Sequence, residues 1–227
     1  MRITEIYRSL QGESTYAGLP CVFVRLTGCN LRCSWCDTEY SFYGGEQMTL
    51  EQVFHKVEHL SPLGGLVEIT GGEPMLQEQE LVPLMQRLLG TGYKALLETS
   101  GERPLEHVPA GVVKIVDVKC PDSGESGTFR MENLLCLQPH DEIKFVISGR
   151  NDYDFARDFV ASQGLARRVN AVLFSPAFSK DASGPRNASN CLLDPQELAE
   201  WMLEDNVPAR LGLQIHKLIW DPALKGV

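Results

Sequence analysis

Short apolar runs alternate with helical patterns along most of the chain. Residues 21–26, 66–70, 93–98, 112–118, 143–147, 171–174 and 212–216 are brief stretches, mostly rich in Val, Ile and Leu, the pattern of strands buried on both faces. Helical patterns lie between several of them. Thr49-Leu50-Glu51-Gln52 is a capping box that predicts a helix to residue 60. Residues 79–89 repeat with helical periodicity, with Gly90 as a stop and Pro83 near the first turn, where the ring is tolerated. Residues 152–163 predict a third helix, closed by Gly164. Asp194-Pro195-Gln196-Glu197 supplies an N-cap, a proline at the first helical position and an acid two residues on, for a helix to about residue 204.

Strand, helix, strand in alternation implies parallel pairing through right-handed crossovers. The segment 99–111 is barely long enough for a crossover, and Pro104 and Pro109 leave room for little more than one helical turn. Seven strands with one cramped connection predict an α/β fold, a truncated partial (β/α) barrel, in one domain over residues 1–227. In such barrels sites gather at the C-terminal ends of the strands.

Composition narrows the class. Hydrophobic residues make up 43% of the 227 and charged residues 22%, ordinary values for a globular chain that folds without disulfide staples. Lys and Arg number 21 against 30 Asp and Glu, a net charge of -9, which argues against binding nucleic acid or an anionic membrane surface. The longest uncharged stretches, 14–24 and 169–179, are 11 residues each, too short to span a bilayer. The N-terminal residues lack the apolar core of a signal peptide, so the expected location is the cytoplasm. There the seven cysteines read as thiols or metal ligands rather than disulfides.

Three of them stand together in Gly28-Cys29-Asn30-Leu31-Arg32-Cys33-Ser34-Trp35-Cys36-Asp37-Thr38, spaced C-x3-C-x2-C after the first apolar run. Three thiolates on one short loop suit a single soft metal centre. A closed structural zinc site wants four ligands, and Cys120, Cys136 and Cys191 stand alone, while Cys21 falls inside a strand. An iron–sulfur cubane held by three cysteines leaves one iron open to a small-molecule ligand. After the second run comes Thr70-Gly71-Gly72-Glu73-Pro74, a Gly-Gly turn that offers backbone groups at close range.

The two motifs in this order resemble the radical S-adenosylmethionine (SAM) superfamily, with Trp35 as the aromatic before the third cysteine. Ser9-Leu10-Gln11-Gly12-Glu13, Glu98-Thr99-Ser100-Gly101 and Leu213-Gln214-Ile215-His216-Lys217 extend the likeness over residues 9–217 to the 7-carboxy-7-deazaguanine synthase family of queuosine biosynthesis. The resemblance implies a partial barrel of the radical SAM type, a 4Fe-4S cluster, S-adenosylmethionine and Mg2+. It implies a lyase in which a 5′-deoxyadenosyl radical takes a hydrogen from 6-carboxy-5,6,7,8-tetrahydropterin and the ring contracts with loss of ammonia. It further implies a homodimer and an electron donor such as flavodoxin or ferredoxin.

Roles carry over residue by residue. Cys29, Cys33 and Cys36 match the cluster ligands. Trp35, Cys36, Asp37, Gly72 and Glu73 match contacts to S-adenosylmethionine, with Glu73 facing its ammonium. Asp117-Val118-Lys119 and Ser175-Pro176-Ala177-Phe178 match further cofactor contacts, made through the backbone. Leu10, Gln11, Gly12, Arg25 and Thr70 match substrate positions, and Glu13, Glu98, His216 and Pro222 are further substrate candidates. Thr38 matches a Mg2+ ligand. Physical chemistry agrees at two points: a guanidinium binds a substrate carboxylate in fork geometry, and a hydroxyl with substrate oxygens and waters suits Mg2+.

Plainer readings stand beside these. Arg25 and Lys119 are also strand-end surface cations, Glu13 a solvated loop acid, His216 a core histidine on an apolar strand, and Thr38 a turn threonine bonding its own backbone. For the whole chain the alternatives are a radical SAM activase that makes a glycyl radical on a partner protein, and a non-catalytic metal-binding module.

Overall fold

The computed structural model describes residues 1–180, 190–221 and 224–226. Its nine strands form one sheet: β1 (Arg2–Leu10), β2 (Pro20–Leu26), β3 (Glu46–Gln47), β4 (Leu66–Gly71), β5 (Lys94–Thr99), β6 (Val113–Asp117), β7 (Glu142–Ile147), β8 (Ala171–Pro176) and β9 (Arg210–Leu211). Their order is β3-β1-β2-β4-β5-β6-β7-β8-β9. From β2 through β9 every pairing is parallel; β1 and β3 extend the edge antiparallel. The partial α/β barrel expected from the alternation is therefore present.

Helices α1 (Leu50–Leu60), α2 (Glu78–Gly90), α3 (Arg150–Gln163) and α4 (Pro195–Glu204) cover the outer face. The Thr49 capping box forms with both of its reciprocal bonds, and Asp194 caps α4 through Gln196 N–H. Helix α3 starts two residues earlier than the pattern predicts. Asp152, buried in its first turn, accepts bonds from Ser148 N–H, Ser148 Oγ and Asp122 N–H, so its side chain ties loops rather than opening the helix.

The cramped β5–β6 connection contains no helix. Asn133 takes over instead, donating to the carbonyls of Gly101 and Arg103 at 2.8 Å and accepting from Leu105 N–H at 3.0 Å. A side-chain amide thus satisfies backbone groups that a helix would have paired internally.

Two elements differ from expectation. Strand β1 has no apolar run to announce it; it is a half-buried antiparallel edge strand with mixed polarity, as its exposure pattern shows. The run 212–216 is not a strand. Pairing with β8 stops after Leu211, the Ile215 N–H turns to the Gly12 carbonyl at 2.9 Å, and α5 (His216–Ile219) begins.

Alternation along the strands sorts two cores. Outward residues such as Val24, Ile69, Leu97, Phe145 and Phe174 pack beneath the helices. Inward residues change character along the bore. At the N-terminal end Cys21, Phe23, Leu66, Leu96, Val113 and Ile115 form an apolar layer with Tyr7 and Tyr16 against it. Above that layer the inward positions are Glu68, Glu98, Asp117 and Lys144. The loop 11–19 turns in under the barrel, where Thr15 bonds Glu142 at the start of β7.

On the outer side one ion pair lies apart from the bore: Lys114 and Asp141, 2% and 0% exposed, meet at 2.8 Å. Asp141 also accepts from the N–H groups of Lys114 and Gln138. Asp141→Ala is therefore expected to cost about 3–5 kcal/mol in urea unfolding, because it strands a buried ammonium. Lys114→Met should cost clearly less, since Asp141 keeps its two backbone donors. Equal losses would show that the cation contributes beyond this pair.

Candidate active site

A cavity of about 340 Å³ opens at the C-terminal ends of the strands. The chain enters it from four directions, each for a local reason.

The first wall is the loop after β2. Gly28, with φ of 105°, turns the chain out of the strand. Arg32 folds back to donate to the Cys29 and Leu31 carbonyls, and Ser34 anchors the far side to the Asp122 and Ser123 carbonyls. Cys29, Cys33 and Cys36 are half-buried, and all three line the cavity with Trp35. Burial pushes the Cys29 thiol up and the Cys33 thiol up to about 11. Among the described residues no three His, Cys, Asp or Glu groups close around one ion position. Cys120, Cys136 and Cys191 do not line the cavity.

The second wall is the turn after β4. Gly71 has φ of 154°, and a Cβ on Gly72 would meet the Gly28 oxygen at 2.3 Å and Cys29 Cβ at 2.6 Å. The glycines are thus required by close packing of this turn on the cysteine loop. Glu73, 1% exposed, accepts from Met75 N–H, Thr99 Oγ, Ser100 N–H and Ser100 Oγ at 2.6–3.0 Å. Those four donors match the carboxylate's acceptor capacity, so an ammonium partner would have to share them.

The floor is charged. Lys144 pairs with Glu13 at 2.7 Å, with Glu98, and with Asp117 at 3.7 Å; Lys119 pairs with Asp117 at 2.8 Å. Burial opposes ionisation of Glu13, but the Lys144 charge, with hydrogen bonds from Lys144 and Gln214, holds its carboxyl down to about 2. Glu68 accepts an N–H of Gln11, while the Gln11 oxygen accepts from Glu13 N–H at 2.8 Å. Arg25 points inward from β2 and uses two of its five N–H groups, on Glu5 at 2.8 Å and Tyr7 at 3.1 Å. Its remaining edge faces the cavity with Thr70.

The last wall is the strap 212–220. A Cβ on Gly12 would lie 2.0 Å from the His216 ring, so glycine is what allows the strap to close on the loop. Burial lowers the His216 imidazole despite the pull of Glu13, leaving it neutral at pH 7. Gln214 donates to Glu13 at 2.6 Å. Lys217 pairs with Asp37 and holds its carboxyl below the usual carboxylate range against the effect of burial.

Most residues singled out in the sequence therefore meet here, including Leu10, Gly12, Glu98, Asp117 and Phe178. Four do not line the cavity. The Val118 side chain is in the outer core, because 117 and 119 face inward and 118 must face out, and its N–H bonds the Lys144 carbonyl. Ser175 faces Gly212 near a separate groove, and Pro176 and Ala177 are buried, with the Ala177 N–H on the Ile147 carbonyl. Backbone contacts expected at Val118 and Ala177 would have to use groups already paired. Pro222 lies outside the described residues. The Thr38 hydroxyl makes no bond to its own backbone; it lies 3.7 Å from Cys36 Sγ and faces the cavity.

The radical SAM superfamily model matches residues 23–112. The 7-carboxy-7-deazaguanine synthase of Koribacter versatilis is 67% identical over 227 residues, covering both chains in full. That of Chlorobaculum tepidum is 38% identical over 230 residues, covering 100% of this chain and 97% of its own. The chain belongs to the 7-carboxy-7-deazaguanine synthase family. In fold it is similar to the crystal structure of QueE from Escherichia coli, with a TM-score of 0.68 at 22% identity over 93% of this chain and 92% of that one.

Radical SAM enzymes carry a 4Fe-4S cluster and S-adenosylmethionine, and this synthase-family chain has the donor set for them. Three soft thiols face one cavity and no other cysteine does, so Cys29, Cys33 and Cys36 would hold a cubane there and leave one iron for S-adenosylmethionine. The raised thiols lose their protons on metal binding. Glu68, Lys144, Gln214 and Lys217 line the same cavity but were not singled out as site residues. The signal was present for two of them: Glu68 and Lys144 are charges in the middle of apolar runs.

The Glu13 pair has a pH signature. Its folded value of about 2 lies below the ordinary 4.5, so its contribution is full above pH 4.5 and is lost as pH falls towards 2. Unfolding free energies should show Glu13→Gln roughly 2–3 kcal/mol less stable at neutral pH, with the gap closing through that acid window. A constant gap would place the stabilisation elsewhere.

Proposed function

We propose that this chain converts 6-carboxy-5,6,7,8-tetrahydropterin to 7-carboxy-7-deazaguanine with release of ammonia. The observation that carries the reading is the shared cavity. The three-thiol loop faces a floor whose polar groups suit a carboxylated heterocycle, in a chain matching such synthases end to end. When bound, the cluster supplies the electron that cleaves S-adenosylmethionine and starts hydrogen abstraction. The protein's own groups bind, orient and exclude water.

Arg25 offers its open edge to the substrate carboxylate, with Glu5, Tyr7 and Tyr40 fixing the guanidinium plane. Gln11, Glu13, Glu98 and His216 present acceptors and donors to the ring edges. The apolar layer beneath them closes the bore from below. Asp37, Gly72, Glu73, Asp117, Lys119 and Phe178 border the space for S-adenosylmethionine. Thr38 would hold Mg2+ through its hydroxyl, and the ion would offset the charge of the substrate carboxylate. The electron comes from a small redox protein of the flavodoxin or ferredoxin kind, and the working form is a homodimer. The end-to-end match to these synthases leaves the activase and binding-module readings without support.

Anaerobically reconstituted protein with a reductant, S-adenosylmethionine and the tetrahydropterin should yield the deazaguanine acid and ammonia. Cleavage of S-adenosylmethionine without that product would overturn the substrate assignment. Cys29→Ser, Cys33→Ser and Cys36→Ser should each lose the iron signal.

The metal has its own test. Activity should rise with added Mg2+ while iron content stays fixed. Thr38→Ala should need more Mg2+, and Thr38→Ser should stay close to wild type. A misplacement of about 1 Å can cost on the order of a hundredfold in rate, so turnover is the sensitive readout. Identical Mg2+ curves for wild type and Thr38→Ala would move the ion to another site.

A further inference from the structure

Four acids and two ammonium groups share the cavity floor: Glu13, Glu68, Glu98 and Asp117 against Lys119 and Lys144. The cations are taken by three of the acids, as the Lys119–Asp117 contact and the three Lys144 contacts show. Among the described residues Glu68 has no ion pair. It is 2% exposed, in the middle of β4, between Gln11 and Glu98.

The bonding around it has one consistent reading. Gln11 gives its amide oxygen to Glu13 N–H, which turns its NH2 toward Glu68. On the other side the Glu68 carboxyl stands beside that of Glu98, which the neighbouring strand β5 carries inward to the same cavity. Two buried carboxyl groups side by side do not both ionise when only one of them has a cation, so the pair keeps one proton. Glu98 is held beside the Lys144 ammonium, so the proton belongs on Glu68. The other groups facing it agree. Burial pushes Glu68 well up, with Glu98 and Glu13 adding to it. Tyr7 from β1 and Cys21 from β2 are themselves raised by burial and stay neutral.

We infer that Glu68 is a positioning residue for the substrate ring: from the cavity floor its carboxyl group fixes the Gln11 amide on one side and the Glu98 carboxylate on the other, and so decides which of the two offers a donor and which an acceptor. This rests on the proposed activity. The Gln11 amide cannot flip without setting donor against donor at Glu13 N–H and oxygen against oxygen at Glu68. Glu98, steadied by Lys144 and the Glu68 hydroxyl, keeps acceptor capacity for a ring N–H edge.

The test uses Glu68→Gln and Glu68→Leu in the reconstituted enzyme. A glutamine reproduces the neutral acid, accepting from Gln11 and donating to Glu98; leucine does neither. Glu68→Gln should keep KM for the tetrahydropterin within about threefold, whereas Glu68→Leu should raise it about tenfold or more, the cost of leaving buried polar groups unpaired. Iron content and affinity for S-adenosylmethionine should not change in either. Independently of turnover, the infrared difference spectrum of wild type minus Glu68→Gln at neutral pH should show a carboxylic acid C=O band. A carboxylate signature alone, or a Glu68→Gln variant as impaired as Glu68→Leu, would overturn the role. Wild-type protein that does not turn over the pterin would overturn both the activity and this role. That outcome is distinguishable, because the infrared band needs no substrate.

Discussion

The ammonium of Lys144, buried inside a barrel, sets the terms for everything around it. An unpaired charge there would cost several kcal/mol, so the chain surrounds it with acids from three other elements. Glu13 comes from the loop 11–19, Glu98 from β5 and Asp117 from β6. The requirement shapes backbone as well as side chains. The loop after β1 must turn inward to bring Glu13 up, and the strap after β9 must close over Glu13 to bring Gln214 and His216 to it. What looks like an open edge between β9 and β1 is thereby bridged by polar contacts instead of strand pairing.

Position along the bore then separates tasks. The apolar layer at the bottom keeps water from the charged layer, which strengthens each interaction within it. The charged layer faces the thiols of the cluster loop across one cavity. The acids and the lysine of the floor therefore come mostly from strands β4 to β7, and the thiols from the loop after β2, two different parts of the chain lining one cavity. Arg25 lies between them, with its orientation set by Glu5 and Tyr7 from the antiparallel edge strand β1.

How much of this was legible depended on distance along the chain. The cysteine loop, the Thr49 capping box, the Asp194 cap and the glycine turn are local patterns, and they read correctly from residues alone. The charged floor is not local. Glu68, Glu98, Asp117 and Lys144 become neighbours only when four strands align in register, and each taken singly looked like a polar residue in or at the end of an apolar run. Period-two alternation carries that information. It separates Asp117 and Lys119, which face in, from Val118, which faces out. Strand β1 escaped notice because an edge strand with one face on a polar bore has no apolar run, and 212–216 misled because its apolar residues serve a strap instead of a ladder.

The two motifs that signal the superfamily turn out to be two sides of one contact. Glu73 N–H bonds the Gly28 carbonyl at 2.8 Å, and Gly72 leaves only enough room for Gly28 and Cys29 against it. The glycine turn therefore holds the first cysteine in place as well as lining the cavity. Glu73 in turn is locked by Thr99 and Ser100 at the end of β5, so the cysteine loop is braced through β4 onto β5. Glu98, the residue next to that brace, belongs to the charged floor. The last residues of a single strand thus fix both the height of the thiols and one of the acids below them. A change that shifts β5 along its axis must move both together, which couples the placement of the thiols to that of the charged floor without any moving part.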